Sequence, residues 1–323
     1  MGTEIEKRVL GLYEISNMGK KHAEVQNPRS IRNRSVSGIR WTTAQTFFLA
    51  ILGPIAQIVK ARFLSPEELG VVAVYMIVYG LLRTVENAGI GQSIVQKDVL
   101  DSGERLTYLV VTAGAAILGA SGLVLMAGPV AMVFRTPQAA ALLRWAGPLL
   151  FLALIDQYFR ALLHRELLFG GAALLESGKR LLNLLLLFVF FAMGFGPLGV
   201  AYAMVSSAMF GVIGLLFITK RSSVMKLKFE WSSSAIKHLM TFGMPIAGKQ
   251  IFTYITHRAD EFIIGLLFDA ATLGMYHLAK ETLQRLLSLI TSSFSRVLLP
   301  LFSRIRSDQE RLTRVYGDRK SVV

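Results

Sequence analysis

The sequence predicts an all-α fold, a polytopic membrane helix bundle of about eight transmembrane helices. Three observations carry this. Hydrophobic residues make up 53% of the 323 residues and charged ones only 17%, against roughly 45–50% and 25% in soluble domains. Uncharged runs long enough to cross the hydrocarbon core recur along the chain. Lys and Arg gather on alternate connections between those runs.

The elements follow in order. Residues 1–36 are polar and basic. Trp41 to Val59 carries no charge and forms the first span, which Lys60 and Arg62 end at its outer edge. Ser65-Pro66-Glu67-Glu68 is a helix start, with Ser65 at the N-cap, Pro66 in the first turn and Glu68 closing a capping box. The second helix then runs from about Leu69 to Gln96. The uncharged run between Arg105 and Arg135 is the third. The fourth covers roughly Ala139 to Leu163 and contains Arg144 and Asp156. Leu181 to Thr219 again carries no charge. One helix of that length would be about 58 Å long, too long for one crossing. Gly194-Phe195-Gly196-Pro197 therefore breaks it into helices five and six, the fifth beginning near Gly171. After a basic loop, helix seven runs from about Ser234 to Phe268 and helix eight from about Ala270 to Arg304.

Charge fixes the orientation. Of the Lys and Arg, 23 fall on the side of the N-terminus, while the opposite connections hold Lys60, Arg62 and Arg135, with Arg144 near the edge. The N-terminus is therefore expected in the cytoplasm. The net charge of +14 reads as a topology signal, and no nucleic-acid partner is expected. The chain has no cysteine, which excludes disulfides and thiolate metal sites. There is no G-x-x-x-x-G-K-S/T phosphate loop and no zinc or hydrolase signature. No cofactor, no metal and no catalytic residue are expected.

A short repeat is visible. Phe63-Leu64-Ser65-Pro66-Glu67-Glu68-Leu69-Gly70 leads into helix two, and Leu267-Phe268-Asp269-Ala270-Ala271-Thr272-Leu273-Gly274 into helix eight, at a spacing of 204 residues. Each offers an N-cap oxygen, Ser65 or Asp269, and a Leu-Gly pair in the first turn. A six-helix unit would thus begin again at helix seven. Repeats in membrane proteins mark transporters whose substrate path lies between the halves.

Three stretches resemble the polysaccharide flippase family, Wzx or RfbX-like, of the multidrug/oligosaccharidyl-lipid/polysaccharide exporter superfamily. They are Ala61 to Gly70 with Gly89-Ile90-Gly91 and Val95 to Asp98; Arg160 to Phe169; and Arg258-Ala259-Asp260 with Ile263-Ile264-Gly265, Leu273 to Tyr276 and Leu299 to Arg304. The resemblance covers about residues 35–316 and implies a bacterial inner-membrane, multi-pass, non-enzymatic exporter. It divides the chain into a cytoplasmic N-terminal segment (1–36) and a complete N-lobe of helices one to six (37–220). A cytoplasmic inter-lobe loop (221–233), the first two C-lobe helices (234–304) and a cytoplasmic tail (305–323) follow. Family members carry further helices, so the chain reads as C-terminally truncated, and Asp318 to Val323 as a truncation scar. The implied cargo is an undecaprenyl-diphosphate-linked oligosaccharide for exopolysaccharide, capsule or O-antigen synthesis. It would move by alternating access of the lobes around a cationic cavity. The implied partners are membrane lipid and, in the same pathway, a polysaccharide polymerase and chain-length proteins.

Charges inside spans are costly unless they face water or a partner. The cavity candidates are Arg83, Glu86, Lys249, Gln250, Arg258, Lys280 and Arg285, since Arg grips phosphate or carboxylate bidentately and Lys acts as a point charge. Arg83 and Glu86 are also spaced to pair with each other, and Arg258 with Asp260 is open to the same reading. Asp156, Asp260 and His257 are candidates for ion coupling. Gly53 and Pro54 in helix one, and Gly243 and Pro245 in helix seven, are hinge candidates, or static kinks. Two other classes are weighed. A drug or cation exporter of the same superfamily would want acidic cavity residues. A membrane polymerase would want a large outer loop.

Overall fold

The computed structural model describes residues 46–305, apart from 47, 50, 89, 98, 99, 167 and 223–229. The expected cytoplasmic segment, the tail beyond residue 305, the start of the first span and most of the inter-lobe loop lie outside the described residues. So does the side chain of Glu86.

Among the described residues the chain is helical. Residues 51–63 form α1. It is followed by α2 (Pro66–Ala88), α3 (Ile90–Gln96), α4 (Ser102–Val133), α5 (Ala139–Arg165), α6 (Phe169–Ala192) and α7 (Leu198–Arg221). A short α8 (Ser233–His238) leads through a π-helical turn, Leu239–Gly243, into α9 (Met244–Leu267), and α10 (Ala270–Ile305) closes the order.

Local sequence explains the boundaries. Ser65 caps α2 as expected: its hydroxyl accepts from the Glu68 amide at 3.2 Å, and Glu68 accepts from the Ser65 amide at 2.8 Å. Asp269 caps α10, accepting from the Thr272 amide at 3.2 Å. That bond and one from the Thr272 hydroxyl hold the Asp269 carboxyl below its ordinary range. Replacing Ser65 with alanine is expected to lower stability by about 1 kcal/mol, measurable as a lower unfolding temperature in detergent. The turn between α6 and α7 uses Gly194 at φ 81° and Gly196 at φ 53°, a backbone region that favours glycine.

The expected second helix, about Leu69 to Gln96, falls on α2 and α3. One helix that the sequence predicts as regular carries a π turn. Helix seven runs without interruption through α8, the π turn and α9. Pro245 has no N–H to give the Thr241 carbonyl, and the turn before it widens: the Met244 amide bonds to Leu239 O, five residues back.

α4, α5 and α7 are long and apolar enough to cross a membrane. Helices α2, α6, α9 and α10 have matching lengths of 23, 24, 24 and 36 residues, but charged side chains interrupt their apolar runs. With α1 they make up an all-α membrane bundle. The outer face of α4 shows what solvent it needs: Leu118, Leu125 and Met132 are 76%, 79% and 75% exposed. Water would penalise that surface at roughly 25 cal/mol per Å²; lipid does not.

α2 is the central stave. Val71, Val72, Ala73, Val74, Tyr75 and Ile77 are all buried, the mark of a helix covered on every side. It packs on α5 to one side and on α9 and α10 to the other. α4 and α5 form a close antiparallel pair: a Cβ on Gly147 would sit 2.7 Å from the Ala120 carbonyl oxygen.

At one end of the bundle the helices meet closely. A Cβ on Gly274 would lie 2.6 Å from Pro66 O and 2.7 Å from Leu69 C, and one on Gly70 would run into the backbone of Ala270. Here α2 and α10 meet backbone to backbone. Phe134 packs on Phe262 with ring centres 6.2 Å apart, and Phe63 stacks on Phe191 at 5.7 Å. At the opposite end α8 is tied to α4. Glu104 pairs with Lys97 and accepts from Ser234 at 2.8 Å, and the Ser232 amide donates to Thr107 at 3.0 Å.

Candidate substrate chamber

Between α1, α2, α5, α6 and α7 on one side and α9 and α10 on the other lies a chamber of about 680 Å³. Two ion networks form its walls.

The first joins α5 and α6. Asp156 and Arg160 are one turn apart, as are Glu176 with Lys179 and Arg180, so each helix supplies its own pairs. Arg160 donates to Asp156 at 2.6 Å and to Glu176 at 2.9 Å. Lys179 reaches Glu176 at 2.6 Å and Asp156 at 3.2 Å. Arg180 donates to Glu176 at 3.0 Å. Two buried carboxylates thus hold three cations along one wall. Gly211 on α7 leaves the room: its Cβ would meet Lys179 Cδ at 2.7 Å and Asp156 Oδ1 at 3.2 Å.

The second joins α9 and α10. Glu261 is fully buried and accepts from Arg258 at 2.5 Å, His277 at 2.8 Å and Lys280 at 3.1 Å. Arg258 also donates to Glu281 at 2.5 Å, and Glu281 lies 3.7 Å from Arg285. Tyr254 fixes α9 to α2 through its hydroxyl, 2.8 Å from Ile77 O. Gly80 makes this contact possible, since a Cβ there would collide with the Tyr254 ring.

The structure brings some sequence candidates together and separates others. Arg83, Arg258, Arg285, Asp156 and Gly53 line the chamber, Arg83 as an exposed residue at its rim. Lys249 and Gln250 are exposed and stand outside it. Lys249 is nine residues from Arg258, two and a half turns, so the two point to opposite sides of α9. Lys280 is also displaced. The stripe of α10 that faces the chamber is His277, Glu281 and Arg285. Lys280 sits one column round and pairs with Asp260 at 2.6 Å. Asp260 takes a further bond from Tyr276 at 2.5 Å, and His257 is exposed, giving its carbonyl to Lys280 at 3.0 Å. Pro54 lies within α1, whereas Gly243 ends the π turn and Pro245 stands in the first turn of α9.

Sequence reasoning misses Lys60, Arg160, Lys179 and Arg180 as chamber residues, because each stands at the edge of an apolar run, where a headgroup-facing cation is expected. The signal available is the helical spacing of Asp156 with Arg160 and of Glu176 with Arg180. In all, seven Lys and Arg side chains line the chamber against three carboxylates. Such a lining can hold a polyanion with part of its charge already balanced.

A sequence profile described as "Polysaccharide biosynthesis protein" matches residues 59–323. The chain belongs to the polysaccharide biosynthesis protein family. Among curated family relatives, the lipopolysaccharide biosynthesis protein WzxC of Escherichia coli (strain K12) is 23% identical over 283 residues, covering 88% of this chain and 57% of that protein. The succinoglycan biosynthesis transport protein ExoT of Rhizobium meliloti (strain 1021) is 26% identical over 255 residues, covering 78% and 50%. The chain therefore spans about half the length of the curated relatives it matches. A solved inward-facing multidrug resistance MATE family transporter of the MOP superfamily aligns with a TM-score of 0.44 at 18% identity, covering 74% of this chain and 56% of that one.

Proposed function

We propose that this family member is the N-lobe, residues 37–220, and the beginning of the C-lobe, residues 234–304, of a bacterial inner-membrane polysaccharide exporter. It moves lipid-linked oligosaccharide repeat units from the cytoplasmic to the outer leaflet and catalyses no reaction. The carrier's diphosphate and the glycan enter the chamber, while the lipid tail stays in the bilayer. The observation that carries this reading is the chamber's excess of Lys and Arg in a bundle of apolar helices. The names of WzxC and ExoT support the pathway, a lipopolysaccharide in one and transport of a polysaccharide in the other. A drug or cation exporter is less well served by a lining with seven cations and three carboxylates.

The contact of Gly70 with Gly274 closes the outer end in this reading, with the N-terminus in the cytoplasm, and the lobes rock to open it. The test is complementation. The full gene that carries this sequence is expected to restore surface polymer in a strain lacking its exopolysaccharide exporter. The double variant Arg83→Gln, Arg180→Gln is expected to lower export about tenfold at equal protein level, a loss of roughly 1.4 kcal/mol, and Lys at both positions to recover part of it. Export undiminished by the double variant would remove the cationic-chamber mechanism.

A further inference from the structure

Lys60 is a chamber cation with no carboxylate in ion-pair contact among the described residues. The sequence puts it at the outer edge of the first span, but it lies inside the bundle, 8% exposed, and lines the chamber. Arg160, Lys179, Arg180 and Arg258 each have a carboxylate within 3.0 Å. The Lys60 ammonium has no hydrogen-bond or ion-pair partner among the described residues. The charged groups acting on it most strongly come from α10, Arg285 and Glu281. Arg285 lies against the same face of α1, where a Cβ on Gly53 would be 3.4 Å from its Cδ. Glu281 is already engaged by Arg258 at 2.5 Å. Gln57 stands one turn back on the Lys60 face and is 3% exposed; its Oε1 is a buried polar atom without a partner.

Buried polar groups are almost always partnered. A buried charge without a partner costs several kcal/mol. An arrangement that carries this cost is stable in function when a ligand supplies the missing charge. We propose that Lys60 is the anion-docking residue of the chamber, donating to a phosphate or carboxylate oxygen of the cargo. The proposal rests on the chamber reading above and adds to it the point where the cargo's charge is held. The shared chemistry is an anionic oxygen, and it has two sources, the carrier's diphosphate or an acidic sugar of the glycan.

The experiment uses the full chain in phosphatidylcholine nanodiscs, titrated calorimetrically with inorganic pyrophosphate and, separately, with glucuronate. Lys60→Met keeps the volume and removes the charge. It is expected to bind about tenfold more weakly, or worse, as loss of a charge-assisted hydrogen bond implies, and to unfold at a higher temperature than the parent when no anion is present. Lys60→Arg is expected to retain binding. Weakening confined to pyrophosphate assigns Lys60 to the diphosphate; weakening confined to glucuronate assigns it to the glycan. Undiminished binding of both anions by Lys60→Met overturns the proposal and leaves the chamber standing. A lower unfolding temperature with Lys60→Met also overturns it, by making Lys60 structural. Failure of the parent to bind either anion overturns the chamber reading itself.

Discussion

In the exporter proposed above, leucine in place of Gly274 is expected to abolish export and to leave the chamber reachable from outside the cell. A Cβ at this position falls 2.6 Å from Pro66 O and 2.7 Å from Leu69 C. Both are backbone atoms, with no rotamer to move away, so α2 and α10 must separate. Overpacking of this kind costs about 1–3 kcal/mol, enough to shift a two-state equilibrium roughly five- to a hundredfold. The natural chain has no cysteine, so one thiol placed at Ser207, a buried chamber position, reports alone. A membrane-impermeant thiol reagent added to intact cells is expected to label it in the Gly274→Leu protein and not in the parent. Equal labelling of the two would show that the glycine contact does not seal the outer end.

The second large effect is expected at Glu261, which stands at the centre of the α9–α10 network. Its carboxylate is fully buried and answers Arg258, His277 and Lys280 together. Replacing it with leucine leaves those groups without their shared acceptor. Removal of one side of a buried ion pair costs about 3–5 kcal/mol, so the Glu261→Leu protein is expected to unfold well below the parent in a thermal melt in detergent. Glu261→Gln keeps an acceptor oxygen and is expected to fall between the two. A leucine variant melting within about a degree of the parent would mean that Asp260 and Glu281 already balance the cluster.

What the sequence discloses depends on whether a feature is local. The cap at Ser65, the break at Gly194 to Pro197 and the uncharged length of α4 are written in consecutive residues, and each is legible from those residues alone. The chamber is legible only in part, through Arg83, Asp156, Arg258 and Arg285. A lysine at the end of an apolar run reads the same whether it turns out to the headgroups or in to a cavity. Lys60 and Lys179 are lost to that ambiguity. Lys249 stands outside the chamber lining for a different reason. Its depth inside a span singles it out, and depth alone does not say which face of α9 turns inward. Hydropathy has the complementary blind spot: α6, α9 and α10 score poorly because their charges are satisfied by one another inside the bundle.

Gly70 and Gly274 are 204 residues apart in sequence, the same offset that relates the two N-caps, yet they touch. A residue that touches its own repeat mate stands on the axis relating the two copies. The contact is reciprocal, Gly274 on Pro66 and Gly70 on Ala270, as the isologous contact of a two-fold dimer is. Self-complementary surfaces of this kind feel every change twice when both copies carry it. The chain, holding the two copies as separate stretches, can alter one without the other.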